Sequence, residues 1–144
     1  MKLTQLSLFL ENRPGQLRVP CEVLGKAGVD MLTLSLADTR EFGILRLLVR
    51  EPARARAALE AAGCVVKETE VLGVEVPDRP GGLGEVLAGF DRAGVGIEYS
   101  YALASGSRDG RAVLVFRVAD PDGAARRLLE AGVKVLTREE VLGG

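Results

Sequence analysis

Apolar and polar residues alternate with a period of two early in the chain, and this pattern predicts a strand over Leu6–Leu10. The turn residues Pro14–Gly15 end that strand. From Leu17 the apolar residues recur at helical spacing as far as Gly28, a residue type common just past the end of a helix. Pro20 lies inside this helix and predicts a kink or a late start, because proline lacks the N–H that a helix interior uses.

The next stretch predicts two strands, a helix and a further strand. The strands Met31–Ala37 and Phe42–Arg50 are separated by turn-forming residues at Asp38–Glu41, which indicates a hairpin. A helix rich in Ala and Arg opens at Glu51–Pro52, where proline suits the first helical position. The last strand of this stretch is predicted over Val65–Leu72. The order of elements is therefore βαββαβ.

The same pattern occurs a second time. Asn12–Leu17, with the sequence Asn-Arg-Pro-Gly-Gln-Leu, recurs as Asp78–Leu83, with the sequence Asp-Arg-Pro-Gly-Gly-Leu, at an offset of 66 residues (78 − 12). Ala27–Val29 recurs as Ala93–Val95 at the same offset. A constant offset over matching motifs is the mark of an internal duplication.

The duplication predicts two tandem domains. Gly63 and Gly132 match at the larger offset of 69 residues (132 − 63), because the turn-forming stretch Ala104–Gly110 lengthens one loop of the second copy. We expect domains at residues 1–72 and 73–144, each with the order βαββαβ. That order is typical of the ferredoxin-like α+β fold, an antiparallel sheet with its helices on one face. Domains of about 70 residues have small cores, so packing against each other or against another chain is expected.

Composition narrows the possible chemistry. The 144 residues include no histidine and two widely separated cysteines, Cys21 and Cys64, which we expect to be free thiols. Ser-His-Asp and Cys-His catalysis are therefore excluded, and the ligands for a zinc site are too few. A net charge of −1 argues against duplex DNA or an anionic membrane as the main partner. We expect a cytoplasmic, non-catalytic protein without a metal or cofactor.

Two features suggest a binding site. Each copy has an Arg-Pro-Gly-x-Leu turn, at Arg13–Leu17 and Arg79–Leu83, that opens a helix whose free N–H groups suit a carboxylate or phosphate. The alternative is a purely structural turn. Both tyrosines, Tyr99 and Tyr101, lie on the third strand of the second copy, either in a pocket wall or on an ordinary sheet surface.

The sequence resembles the ACT domain family, in particular small proteins made of two tandem ACT domains. The motifs that carry the resemblance cover both copies: Leu10–Leu17, Ala27–Val29, Ser35–Thr39, Phe42–Leu47, Val76–Leu83, Ile97–Ala102 and Val115–Val118. The resemblance implies a regulatory module that binds a small ligand, usually an amino acid, at an interface between ACT units. It also implies a homodimer that associates through sheet edges, and a metabolic enzyme as a possible regulated partner.

Carried over to this chain, the resemblance assigns ligand contacts to both loops and to the segments after the first helices. The residues are Asn12, Arg13, Gly15, Gln16, Leu17, Asp30, Met31, Asp78, Gly81, Gly82, Leu83, Ile97 and Tyr99. Asp30 can meet an ammonium group, whereas its counterpart Gly96 offers no side chain. The expected result is one competent site, in the first copy, or two unlike sites.

Three other functions fit parts of the pattern. A module that only contacts a partner enzyme would need no ligand. An enzyme of the same fold is disfavoured by the absence of histidine and of clustered carboxylates. An RNA-binding domain would need a basic sheet face with stacking aromatics, for which the chain supplies only Tyr99, Tyr101 and Phe116.

Overall fold

The computed structural model describes residues 1–38 and 41–143. Thr39 and Arg40 of the predicted hairpin turn, and Gly144, lie outside the described residues. The strands and helices in chain order are β1 (Lys2–Glu11), α1 (Arg18–Lys26), β2 (Met31–Asp38), β3 (Phe42–Val49), α2 (Pro52–Ala61), β4 (Val66–Pro77), α3 (Gly82–Ala93), β5 (Tyr99–Ala102), β6 (Arg111–Arg117), α4 (Pro121–Glu130) and α5 (Arg138–Leu142).

These elements form two compact units. The N-terminal unit is Thr4–Thr69, and the C-terminal unit is Glu70–Gly144 together with Met1–Leu3. The predicted domain limits, 1–72 and 73–144, stay a prediction.

The first three residues belong to the C-terminal unit, and Lys2 is ion-paired with two residues of that unit. Lys2 Nζ lies 3.1 Å from Glu70 Oε2 and 3.2 Å from Asp122 Oδ2. The hydrogen bond to Glu70, followed by that to Asp122, raises the pKa of Lys2 above its ordinary value. The ammonium group therefore ties the start of the chain to residues far along the sequence.

In the N-terminal unit the strands are ordered β2-β3-β1, and both pairings are antiparallel. Leu6 lies opposite Leu47 and Leu8 opposite Leu45, so these leucines share one face of the sheet. Helices α1 and α2 cover that face. The buried core of the unit is Leu6, Leu8, Leu24, Val29, Leu45, Leu47, Val49, Ala55, Leu59 and Val66.

In the C-terminal unit the strands are ordered β4-β6-β5, again antiparallel. Leu72 lies opposite Phe116, and α3 and α4 cover that face. The rings of Phe90 and Phe116 are 4.7 Å apart between centroids, in a tilted arrangement that aromatic pairs favour. An antiparallel sheet with two covering helices in each unit confirms the predicted ferredoxin-like α+β fold class.

The last element of the C-terminal unit differs from the expected strand. Only a short pairing remains, in which Val135 bridges to Val74, and the helix α5 follows it. The Thr137 hydroxyl accepts a hydrogen bond from the Glu140 N–H at 3.2 Å, and Glu140 Oε1 accepts one from the Thr137 N–H at 3.1 Å. This capping box satisfies two backbone donors and starts a helix where the first copy continues as a strand.

Pro20 shows its effect at the start of α1. The helix begins at Arg18, so Pro20 is its third residue and lies in the first turn. Backbone N–H groups of that turn have no partner within the helix, so the missing N–H costs no hydrogen bond there. A late start is thus observed, and α3 in the second copy begins earlier, at the position matching Gln16.

Candidate ligand-binding loops

The two strand-to-helix loops have the same backbone hydrogen bonds. In the first, the Arg13 N–H donates to the Glu11 carbonyl at 2.8 Å. In the second, the Arg79 N–H donates to the Pro77 carbonyl at 3.0 Å. The repeated sequence motif therefore produces a repeated loop conformation.

Glycine is required in both loops, for two different reasons. Gly15 and Gly81 have φ values of +88° and +83°, which L side chains rarely adopt, while the space around each is open. At Gly82 the conflict is spatial, because a β-carbon there would collide with the Pro77 carbonyl oxygen. Gln16 at the matching position of the first copy carries a half-buried side chain. Gly82 thus has a packing role that Gln16 does not share.

Each loop is anchored to the hairpin of its own unit. The Asn12 N–H donates to the Glu41 carbonyl at 3.0 Å, and the Asp78 N–H donates to the Gly110 carbonyl at 2.7 Å. The side chains of Asn12 and Asp78 are exposed at the surface. The anchors hold the loop backbone and leave these two side chains accessible to a ligand.

The charges around the two loops differ. Arg13 is ion-paired with Glu11, which lies in the strand before the loop. Arg79 Nη2 lies 2.8 Å from Glu85 Oε2, and Glu85 is in the first turn of α3. The first turn of α1 carries no acidic residue. Because a helix N-terminus attracts negative charge, the start of α1 is the better place for a ligand carboxylate.

Asp30 already has a charged partner. Its Oδ2 atom lies 3.0 Å from Arg50 Nε, and the Arg50 N–H donates to the Asp30 carbonyl at 3.1 Å. Both side chains are exposed, so the pair is accessible from solvent. A ligand ammonium group that meets Asp30 must share its carboxylate with Arg50 or displace the guanidinium.

The predicted residues form separate groups within each unit. Asn12–Leu17 precedes the N-terminal end of α1, whereas Asp30 and Met31 follow its C-terminal end. The helix has 9 residues, which corresponds to a length of about 13 Å. An α-amino acid carries its ammonium and carboxylate groups on one carbon, so it does not reach both groups of residues in the same unit.

The C-terminal unit has the same separation. Asp78–Leu83 lies at the start of α3, and Ile97 and Tyr99 lie beyond its end. Tyr99 is half-buried opposite Arg117, on the side of the sheet away from α3 and α4, while Leu83 and Ile97 are exposed. Leu17 and Met31 of the first copy pack against the core of their own unit. In each unit, the predicted loop residues therefore lie together at the start of the helix, and the predicted residues that follow the helix lie apart from that loop.

A shallow groove of about 450 Å³ was not anticipated from the sequence. It lies at the C-terminal ends of α3 and α4 and is lined by Arg92, Ala93, Arg127, Glu130 and Ala131. Arg92 Nη2 donates to the Ala131 carbonyl at 2.9 Å. Arg127 of α4 and Arg92 of α3 are far apart in the sequence, so their meeting in this groove is a tertiary feature.

The structure also shows the state of the two cysteines and allows a search of the described residues for metal-binding clusters and membrane-spanning helices. Cys21 and Cys64 are free and half-buried. Among residues 1–38 and 41–143, no cluster of three or more Cys, Asp or Glu residues is placed to hold a metal ion. No helix of the described chain is long and apolar enough to cross a membrane.

Solved structures with the same fold cover nearly all of the chain. Protein BT0572 from Bacteroides thetaiotaomicron is 35% identical, with a TM-score of 0.89 over 98% of this chain and 96% of that chain. The regulatory subunit of aspartate kinase from Thermus thermophilus, in its ligand-free form, is 16% identical, with a TM-score of 0.62 over 90% and 92% of the two chains. The corresponding subunit from Thermus flavus is 14% identical, with a TM-score of 0.59 over 91% and 92%.

No curated protein matches the sequence. The sequence model of the family described as the ACT domain pair matches residues 1–142, which is almost the entire chain. The duplicated loops, the two ferredoxin-like units and this match agree with one another. The chain therefore belongs to the ACT domain family, in which it is an ACT domain pair.

Proposed function

We propose that this ACT domain pair is a non-catalytic regulatory protein of amino-acid metabolism that binds an amino acid. The observation that carries the proposal is the loop Asn12–Leu17, in which Gly15 turns the backbone toward the start of α1. The absence of an acidic residue from that first turn favours a ligand carboxylate there. The shared fold with regulatory subunits of aspartate kinase supports a regulatory role.

The ligand lies at an interface between ACT units in this proposal. The loop of one unit holds the carboxylate, and a different unit supplies the groups that meet the ammonium group and side chain. The length of α1, about 13 Å, is the reason, because Asp30 is too far from the loop of its own unit. Asp30 of another unit, or the wall formed by Ile97 and Tyr99, then completes the site.

The proposed partners follow from the same arrangement. They are a small-molecule ligand, a second copy of the chain, and a metabolic enzyme that the pair regulates from the cytoplasm. A catalytic role lacks support, because the sequence contains no histidine to serve as a general base. A ligand-free interaction module is the alternative function.

A thermal-shift screen with the twenty common amino acids tests ligand binding. A ligand specific to the folded state raises stability by about 2.7 kcal/mol at one hundred times its Kd. We expect one amino acid, or a few related ones, to raise the melting temperature. A response to none of them would favour the interaction module.

Calorimetry on three glycine variants then tests the loop assignment. Gly15, Gly81 and Gly63 have φ values of +88°, +83° and +89°, and each has open space where a β-carbon would lie. Gly15→Val is expected to weaken binding by at least about tenfold, ~1.4 kcal/mol. Gly63→Val imposes the same backbone strain away from the loops and is the control, with unchanged binding expected.

The variant Gly81→Val distinguishes one site from two. It is expected to weaken binding less than Gly15→Val, because Glu85 already supplies a carboxylate at the start of α3. Equal losses in the two variants would contradict the asymmetry of the sites. Undiminished binding in both would contradict the loop assignment.

A further inference from the structure

The groove at the ends of α3 and α4 contains charges of both signs. Arg92 belongs to α3, Arg127 and Glu130 belong to α4, and Ala93 and Ala131 complete the lining. All five residues lie in the C-terminal unit. The volume of the groove, about 450 Å³, falls in the range of small-molecule sites, about 300–1,000 Å³. The groove therefore has room and charged groups for a small polar ligand.

The charges on α4 are not used within the chain. Among residues 1–38 and 41–143, the side chains of Arg127 and Glu130 have neither an ion-pair partner nor a hydrogen-bond partner. The two residues are three positions apart on the helix, so their β-carbons are about 5–6 Å apart. Both side chains are exposed. One small ligand can therefore reach a guanidinium and a carboxylate together.

Arg92 supplies a second guanidinium, and the end of α4 holds it in place. Its Nη2 atom donates to the Ala131 carbonyl at 2.9 Å. A carbonyl group is neutral, so this bond orients the guanidinium without compensating its charge. Since a guanidinium has several N–H donors in a planar fork, donors remain for an anion. The groove thus contains two positive groups and one negative group.

The position of Glu130 is unfavourable for the helix itself. Glu130 is the last residue of α4, where the helix dipole attracts positive charge. Glu60, near the end of α2, is ion-paired with Arg56 at 2.8 Å, which offsets such a cost. Glu130 has no such partner within the described part of the chain. Residues that oppose the local preference of their helix are typical of functional sites.

The internal repeat shows that the fold does not require these charges. At the offset of 69 residues that relates the second helices of the two copies, Ala58 and Ala61 match Arg127 and Glu130. Helix α2 has 10 residues, as α4 does, although it has alanine at both positions. The charged pair is therefore a feature of the second copy that its helix does not need.

We propose that this groove binds an α-amino acid with an acidic side chain. The two ligand carboxylates meet the guanidiniums of Arg92 and Arg127, and the ligand ammonium group meets the carboxylate of Glu130. A dicarboxylate without an amine would leave Glu130 facing a like charge, so the ammonium group is part of the recognition. This site is additional to the loop site of the proposed function and does not rest on it.

An NMR titration of the isotope-labelled chain with glutamate tests the site and its location. We expect the backbone amides of Ala93 and Ala131 to shift. Glutamine has a neutral side chain and glutarate lacks the ammonium group, so each is expected to bind at least about tenfold more weakly. Equal affinity for the three compounds would overturn the inference. Shifts confined to Asn12–Leu17 would overturn it as well, while they would support the loop site.

Three variants then test the roles of the side chains. Arg127→Gln is expected to weaken glutamate binding at least about tenfold. Arg126→Gln is the matched control with unchanged binding expected, because Arg126 is the neighbouring exposed arginine of α4 and does not line the described groove. Glu130→Gln is expected to reduce the preference for glutamate over glutarate, which a general loss of stability would not change. Unchanged glutamate affinity in Arg127→Gln, or an unchanged preference in Glu130→Gln, would contradict the proposal.

Discussion

Val141 lies directly above Gly73: a β-carbon on Gly73 would be 3.1 Å from Val141 Cγ2 and 3.2 Å from Leu3 Cδ1. Three distant parts of the chain, namely the first strand, the middle of β4 and the last helix, therefore meet at a position that has room for hydrogen only. The close approach fixes α5 on the side of the sheet away from α3 and α4.

Gly73→Val is expected to lower the free energy of unfolding by about 1–3 kcal/mol, since overpacking displaces Val141 and Leu3. Gly84→Ala is the control, because a β-carbon there meets nothing within 4 Å and alanine favours a helix. Urea denaturation measures both variants. Equal stability of Gly73→Val and the wild type would contradict the packing of α5 on β4.

Gly82→Ala is expected to destabilise the chain more than Gly81→Ala. The first change drives a β-carbon into the Pro77 carbonyl oxygen, which is backbone and cannot rotate away. The second imposes only a positive φ on alanine, at about 1–2 kcal/mol. Thermal unfolding of the two variants measures the difference, and the reverse order would show that the start of α3 shifts to accept a side chain.

Glu140→Gln is expected to destabilise the chain at neutral pH but not in acid. The hydrogen bond from the backbone of Thr137 is the main cause that holds the pKa of Glu140 below its ordinary value of 4.5. A lowered folded pKa means that the stabilisation exists above pH 4.5 and is lost as the pH falls through the folded pKa. Melting temperatures of wild type and variant should therefore converge as the solution becomes strongly acidic.

Glu139→Gln is the control for that experiment, since no cap hydrogen bond involves the Glu139 side chain in the described structure. Its effect at neutral pH should be smaller than that of Glu140→Gln. A difference between wild type and Glu140→Gln that persists at all pH values would mean that the carboxylate does not act through its charge.

Lys2→Met is expected to destabilise the C-terminal unit slightly, and less in high salt. The raised pKa of Lys2, caused first by Glu70 and then by Asp122, means that stabilisation is present below pH 10.5 and is lost as the pH rises through the folded pKa. The ion pairs are exposed, so added salt should screen them. A difference in melting temperature that is insensitive to both salt and alkaline pH would contradict an ionic contribution.

Arg50→Gln is expected to strengthen amino-acid binding up to about fivefold, the range of an exposed ion pair. The change removes the guanidinium that lies 3.0 Å from the Asp30 carboxylate, which leaves Asp30 to the ligand ammonium group. Arg54→Gln, which removes an exposed arginine paired with Glu51, is the control. Unchanged calorimetric affinity in Arg50→Gln would exclude Asp30 from the site.

Local patterns in the sequence account for most of the fold. The alternation at Leu6–Leu10 and the helical spacing after Leu17 depend on neighbours within a few residues, and the structure confirms both. The positive φ of Gly15 and Gly81 is likewise a local requirement of the repeated turn. Duplication carried these elements into the second copy with the same loop hydrogen bonds.

The last element of the second copy was decided by a local cap together with one long-range contact. Glu-Val-Leu is a strand at Glu70–Leu72 and a helix at Glu140–Leu142, because only the second copy has a capping residue, Thr137, three positions before the glutamate, where the first copy has Lys67. Its recurrence alone favours a strand in both places. Whether this segment forms a strand or a helix depends on the cap and on whether Gly73 leaves room above the sheet for the helix.

The features of the candidate site also divide into those that the sequence predicts and those that depend on the folded structure. The two glycine turns could be predicted from the chain alone, since a backbone conformation with positive φ is a property of one residue and its neighbours. The pairing of Asp30 with Arg50, the pairing of Glu85 with Arg79 at the start of α3, and the separation of Asp30 from the loop by α1 became clear from the folded structure. Charge pairing and distance across a fold join residues far apart in the chain, and hydrophobic periodicity carries no information about them.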